Sequence, residues 1–421
     1  MQKSGIFSTS NPNNTIGGFS VLLYMPDEMR EHYAHLSGAM MRTDLDVVDA
    51  PGGYIAVDRG QRTFGVFDRA RKFVSQSLSY RYDAARHQKI PRRTCLRRAP
   101  FITETVLYCG RDMGFHFGHF LLEGLSRIWP VLSDEYRGMK LVFTQNEYAA
   151  MPSYGWELLR LAGVHPDDVI MINKSTCFFR VCVPRQSFCI ALYASPQFAS
   201  VMRRIADAAR GDAQYDKVYL SRAKMGERKT YGEERVQKIF EQNGYTVIYP
   251  ETLPLEQQIY IAVHCTHMAG CAGTALHLAA FMRPGGTVIQ LKRNSAPDDS
   301  SMTQALICRM VGARLVSMWA SIENTPTPHF TDTPQIIGVT TQMQCFFNDA
   351  HFSYDAADIA PNVTAWGEYN IAMERYRARR GSDVSRRSRG MIVRLVGGLI
   401  PVATWRRRAR HHLRNILHLG R

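Results

Sequence analysis

The chain has 421 residues and no cysteine pattern to build on. Its nine cysteines, at 95, 109, 177, 182, 189, 265, 271, 308 and 345, are odd in number, scattered, and form no CxxC or Cys/His cluster. That excludes a disulfide framework and a structural zinc site, and it suits a reducing compartment. No run reaches the roughly 18 apolar residues that span a bilayer, and the opening MQKSGIFSTSNPNN lacks the apolar core of a secretory signal. The expectation is a protein kept in the cytoplasm. Neither the GxGxxG dinucleotide fingerprint nor the GxxxxGK[ST] phosphate loop is present, so dehydrogenase and P-loop kinase chemistry fall away. No DxD pair stands in a strand-end loop, and Asp298 and Asp299 lie in a polar stretch. No metal and no cofactor is expected.

Negative charge is also missing from one place. From Arg375 to Arg421 there are fourteen arginines against one acid, Asp383, a surplus of thirteen out of a net +15. The rest of the chain is close to neutral. Within this tail, residues 391–405 (MIVRLVGGLIPVATW) are apolar but short, interrupted by Arg394, Gly397, Gly398 and Pro401 and flanked by RRSR and WRRRAR. That composition fits an interfacial anchor on an anionic membrane surface, worth about 1 kcal/mol per arginine near the headgroups. A disordered basic tail and an RNA-contacting one compete with it. A nucleic-acid partner is unlikely on charge, because the body lacks a basic face.

What is present is ample material for a folded body, 45% hydrophobic, and at about 150 residues per domain the length suggests two. Residues 1–100 show short strand-like pieces at 19–24, 54–58 and 64–67. Strand and helix then alternate: strand 140–144, helix 156–162, strand 168–172. GDAQYD at 211–216 reads as a boundary. Beyond it come strand 217–221, helix 233–243, strand 246–249, helix 254–264, strand 266–269, helix 274–282, strand 287–291 and a further helix and strand at 302–311 and 315–318. Five strands with crossover-length connections predict a doubly wound parallel sheet, with ligands outside the carboxyl ends of its strands. The division expected is 1–210 for a first α/β domain, 211–350 for a Rossmann-like domain, 351–380 for a helical return segment, and 381–421 for a basic amphipathic tail.

Three stretches carry candidate chemistry. In GRDMGFHFGHFLLEGLSRIWP, residues 110–130, a helix from 117 to 129 places Leu121, Leu125 and Ile128 on one face. His119, Glu123 and Arg127 stand on the other at i, i+4, i+8. This is either a cleft wall, with His116 beside it, or a buried helix whose polar groups satisfy one another. After the strand at 217–221, Ser221 and Arg222 are followed by Arg228 and Lys229. Two guanidinium forks on one loop suit a diphosphate, although a solvated basic loop would read the same way. GCAGTALH at 270–277 has glycines to turn the backbone and Thr274 placed to cap a helix, and amides at a helix start bind phosphate.

The order of GFHFGHFLLEGLSRIWPVL, YLSRAKMGERK, GYTVIYPETLPLEQQI and MAGCAGTALHLAAFMRPGGTVIQL resembles glycosyltransferase family 61, in its bacterial polysaccharide-synthesis branch, over roughly residues 100–295. The family pattern of an N-x-x-H-F helix start, an R-x(n)-R loop, an E-Q-I helix and a G-x-H-G-[AS]-x-L nest is met by His119 and Phe120, Arg222 and Arg228, Gln258 and Ile259, and Gly270, Gly273 and Leu276. It departs at the asparagine, where Phe115, His116 and Phe117 stand, and at the nest histidine, which is Ala272 here, with His277 as a substitute. The resemblance implies a GT-B fold of two Rossmann-like domains, 1–210 on the acceptor side and 211–350 binding the nucleotide sugar, and inverting transfer from a nucleotide-diphosphate sugar to a glycan or lipid-linked glycan, at the inner face of the cytoplasmic membrane. It implies His119 as base with Glu123 orienting it or acting itself, and His116 and Arg127 on the acceptor side. Arg222, Arg228, Gly270, Gly273 and Thr274 would hold the donor diphosphate. Ser221, Glu251, Gln258, Ala272 and His277 are weaker donor contacts. A non-catalytic nucleotide-sugar or glycan-binding protein is the alternative.

Overall fold

The computed structural model describes residues 13–16, 19–27, 29–30, 40–60, 63–79, 90–111, 116–145, 150–225, 230–293, 299–323 and 333–398, with backbone alone for 13–20, 299–301 and 381–398. Arg228, Lys229, Asp298, Phe115 and the tail beyond 398 lie outside these ranges.

Two large sheets organise the chain. The second runs in the order Asn13–Ile16, Phe19–Tyr24, Arg314–Trp319, Thr287–Lys292, His267–Cys271, Lys217–Leu220, Thr246–Ile248. All neighbours are parallel except the first pair. Its central strands are buried on both faces, which is why KVYL and TVIQLK read as near-continuous apolar runs rather than alternating ones. Among the five strands of this sheet that follow residue 216, the spatial order is second, first, third, fourth, fifth, the flavodoxin-like winding. The switch point lies between Lys217–Leu220 and His267–Cys271. Phe19–Tyr24, expected with the first region, instead pairs with Arg314–Trp319 as a sixth parallel strand, Leu315 opposite Val21. Its FSVLLY run is the apolar type that an interior strand position requires.

The other sheet is mixed. Its order is Val169–Ile172, Lys140–Thr144, Phe101–Arg111, Thr176–Pro184, Tyr54–Asp58, Thr63–Phe67, Phe73–Val74, with Val47–Pro51 also on Thr176–Pro184. The first four are mutually parallel and the hairpin strands antiparallel. Helices fill the space between the sheets. Pro196–Ala208 is capped by Ser195, whose hydroxyl accepts the Phe198 amide at 3.1 Å, with proline in the first turn. It packs on Leu255–His264 and Asp299–Val311. One continuous core therefore takes Leu107 and Phe120 from one side and Ile259, Leu276 and Leu315 from the other. The helix Val363–Gly398 starts against a small ribbon through Ala365, Tyr369 and Met373 around Ile336. Among the described residues no helix is long and apolar enough to cross a membrane.

Candidate active site

The stretch expected as one regular helix from 117 to 129 is not regular. A three-residue α turn, Phe117–His119, passes into a π turn, Phe120–Gly124. The wider turn still leaves His119 and Glu123 neighbours: Nδ1 of His119 lies 2.5 Å from Oε2 of Glu123. The Glu123 side chain is 6% exposed and that of His119 31%. A carboxylate there accepts the Nδ1 proton and leaves Nε2 as the imidazole's acceptor. His116 packs beside it, ring centroids 4.9 Å apart. The row ends at Glu123. After the π turn the chain no longer keeps the 3.6 period, and Arg127 points into the protein, 2% exposed. Arg127 donates to the carbonyls of Pro184 and, at 2.7 Å, Leu78, and lies over the Tyr108 ring. It ties this turn to the first sheet and is not on the acceptor side.

At the switch point the second sheet brings together what the sequence separates by fifty residues. Arg222, 9% exposed, follows Lys217–Leu220, and its amide donates to Oε1 of Glu233 at 3.0 Å. Ser221 is buried, and its hydroxyl accepts the Ala223 amide at 3.1 Å. Next to it, Gly270 passes so close to Leu220 that a Cβ would sit 2.9 Å from that carbonyl oxygen. Ala272 is buried, and its carbonyl accepts from Nε of Arg293 at 2.9 Å. Gly273, at φ +147°, opens the following turn, and a Cβ on it would lie 3.7 Å from the Arg293 guanidinium and 3.9 Å from that of Arg222. Two guanidinium groups thus converge on one glycine. The turn Thr274–Phe281 is a 3-10 helix with Gly273 at its cap position and no side-chain cap, so Thr274 does not cap it as expected.

The Thr274 hydroxyl faces the histidine turn instead. A Cβ on Gly118 would meet it at 2.9 Å and the ring of His277 at 3.4 Å. His277 Nδ1 is 3.2 Å from Oε1 of Gln304, whose amide nitrogen is turned to the Cys308 sulfur at 3.7 Å. Burial, with His116 and His119 nearby, pushes His277 down to about 4, so it is a neutral ring at pH 7. The structure therefore joins His116, His119, Glu123, Thr274 and His277 in one cluster, and Arg222, Gly273 and Arg293 in a second that begins one residue away. Glu251 is exposed, on the Pro250–Thr252 turn. The Gln258 amide is spent on the carbonyls of Pro250 and Leu253, at 2.8 and 2.9 Å.

Sequence reasoning missed Arg293, Glu233 and Gln304. Glu233 opens a helix behind the Arg222 loop and is fully buried; desolvation raises it to about 7 in spite of the Arg222 amide and the charges of Arg222 and Arg293. Its signal was faint, an acidic first turn after glycine, which usually means only a favourable helix dipole. Arg293 follows Thr287–Lys292 as Arg222 follows its own strand, and the strand-end rule could have found it. Thr230 Oγ1, Ser321 Oγ and Gln335 Oε1 are buried without a hydrogen-bond partner among the described residues. Among the described residues no cluster of His, Cys, Asp and Glu could hold a metal ion.

Two comparisons with known proteins bear on this arrangement. The family model described as Glycosyltransferase 61 matches residues 117–289, from the turn that carries His119 into the strand that precedes Arg293. No curated protein matched the chain.

Proposed function

We propose that this protein, whose residues 117–289 match the Glycosyltransferase 61 family model, is a glycosyltransferase that moves a sugar, with inversion, from a nucleotide-diphosphate donor to a glycan or lipid-linked glycan. The observation that carries this reading is the contact of Gly118 with Thr274 and His277, which sets a His–Glu pair against the guanidinium-lined glycine turn. An acceptor hydroxyl in front of His119 gives its proton to Nε2 as its oxygen attacks the anomeric carbon. Glu123 steadies the imidazolium through the 2.5 Å bond. The bond from that carbon to the diphosphate breaks on the opposite face, and Arg222, Arg293 and the Gly273–Thr274 backbone take up the charge that develops on the leaving oxygen. Arg228, six residues after Arg222 in the sequence, would add to them. Neutral His277, held by Gln304, fills the place of the nest histidine without adding charge.

The two sheets across a shared helical layer support a GT-B-like reading, with the second sheet as donor side. The arginine-rich tail supports an anionic membrane surface, the place where a lipid-linked acceptor in bacterial surface polysaccharide synthesis would be met. The test is a panel of nucleotide sugars. A donor present at 100 times its dissociation constant should add about 2.7 kcal/mol of stability. With the stabilising donor and an acceptor, the product should carry the inverted anomeric configuration by NMR. Retained configuration would sink the single-displacement mechanism.

A further inference from the structure

The first sheet is covered unevenly. Along Phe101–Arg111, Leu107 and Cys109 occupy the same face at alternate positions and lie in the core under the helices. The first residue on that face, Phe101, is 58% exposed. A row of cross-strand partners leads to it: Phe73 opposite Phe67, Phe67 opposite Tyr54, Tyr54 opposite Cys177, and Cys177 opposite Phe101. The turn Arg93–Leu96 covers one end of the row by laying Leu96 against Ala56 and Phe67. Among the described residues no such turn covers the other end. On the neighbouring strand, where the pairing of the two parallel strands shifts register, Phe179 is 61% exposed.

Exposed basic side chains lie along this row and next to its ends. Arg69 lays its stem 3.5 Å from the Cβ position of Gly52, whose amide bonds the Phe179 carbonyl at 2.8 Å. The Arg71 guanidinium lies over Tyr54, 5.8 Å from the ring centre. Arg97 and Arg98 precede Phe101 by four and three residues, and Lys72 immediately precedes the strand Phe73–Val74 at the far end of the row. The acid among them, Asp68, accepts the Lys72 amide at 2.7 Å and so closes a turn.

We propose that the Phe101 end of the first sheet docks on an anionic lipid bilayer. Phe101 and Phe179 would enter the headgroup boundary, while Arg69, Arg71, Lys72, Arg97 and Arg98 rest on lipid phosphates. Phenylalanine has no polar handle with which to read a base edge or a sugar, and long arginine stems let the charge stay in the headgroups while the rings go deeper. The surface is in the folded body, separate in sequence from the C-terminal tail, and the proposal does not depend on glycosyl transfer.

The experiment uses the full chain and vesicles of phosphatidylcholine with and without phosphatidylglycerol. Phe101→Ser with Phe179→Ser, and separately Arg97→Glu with Arg98→Glu, should each weaken partition onto the anionic vesicles by roughly tenfold or more. Melting temperatures should not move, because all four side chains are exposed. Phe101→Trp should gain quenching by brominated lipid over the parent chain. Binding unchanged to within about twofold in both pairs, or no added quenching, overturns the proposal and leaves membrane contact to the tail. So does a loss confined to binding of a single-stranded oligonucleotide while vesicle binding persists.

Discussion

The two sides of the candidate site are made of different materials. The second sheet contributes strand ends at a switch point, where parallel order alone brings Arg222, Gly273 and Arg293 together. The first side contributes a turn that departs from regular helix, so that His119 and Glu123 stay paired while Arg127 swings into the core. Anion binding needs several donors converging on one place, which repeated strand ends supply. A general base needs one ring held in one orientation, which a local irregularity buttressed by a buried carboxylate supplies.

If that division is real, the halves fail separately. His119→Ala should lower turnover by about 10²–10⁴-fold while calorimetry finds the nucleotide-diphosphate affinity nearly unchanged. Loss of both together would show that the histidine turn also shapes the donor side. Arg222→Ala should do the reverse, raising the donor dissociation constant by roughly ten- to hundredfold, the worth of about 1.5–3 kcal/mol for a hydrogen bond to a charged group. Arg222→Lys should recover little, since an ammonium cannot reproduce the planar fork. Full rescue by lysine would mean that charge alone, and not convergence on Gly273, is what matters.

The seam between the halves gives a smaller effect. Gly118→Ala drives a methyl to 2.9 Å from the Thr274 hydroxyl, so about 1–3 kcal/mol of overpacking is expected in chemical denaturation, with reduced turnover. Removing the hydroxyl by Thr274→Ala in the same chain should return part of both. A Gly118→Ala protein of parental stability and rate would place the contact outside the working site.

The parallel winding was legible because buried strands and proline- or glycine-bounded helices leave long, repeated signals, and the strand-end rule then pointed to Arg222 and Gly273. Phe19–Tyr24 was legible as a strand but not as a member of the second sheet, because nothing local records a partner three hundred residues away. Arg127 was misplaced for a different reason. An i, i+4, i+8 row assumes an unbroken 3.6 period, and FLLEG at 120–124 carries no proline to announce a π turn. Gln304 was invisible, since its role exists only through His277, twenty-seven residues away on another element.

Acid–base behaviour separates two buried groups of these halves in opposite directions, and it gives the smallest predicted effect. Glu233, raised by burial from the ordinary 4.5 to about 7, keeps in the folded chain a proton that the unfolded chain releases, so its contribution is full below the ordinary value and is lost as pH rises through 7. His277, lowered by burial from 6.5 to about 4, is the reverse: the unfolded chain takes up the proton first, and stability is lost as pH falls from 6.5 toward 4. Glu233→Gln still accepts the Arg222 amide but cannot ionise. Its stability in urea, relative to the parent, should therefore rise by up to a few kcal/mol between about pH 5 and about pH 8. His277→Gln should instead gain on the parent as pH falls below about 6. A parent-to-variant difference that is flat with pH would show that the carboxylate finds its charge compensated by Arg222 and Arg293 already, and that the donor side is poised before any diphosphate arrives.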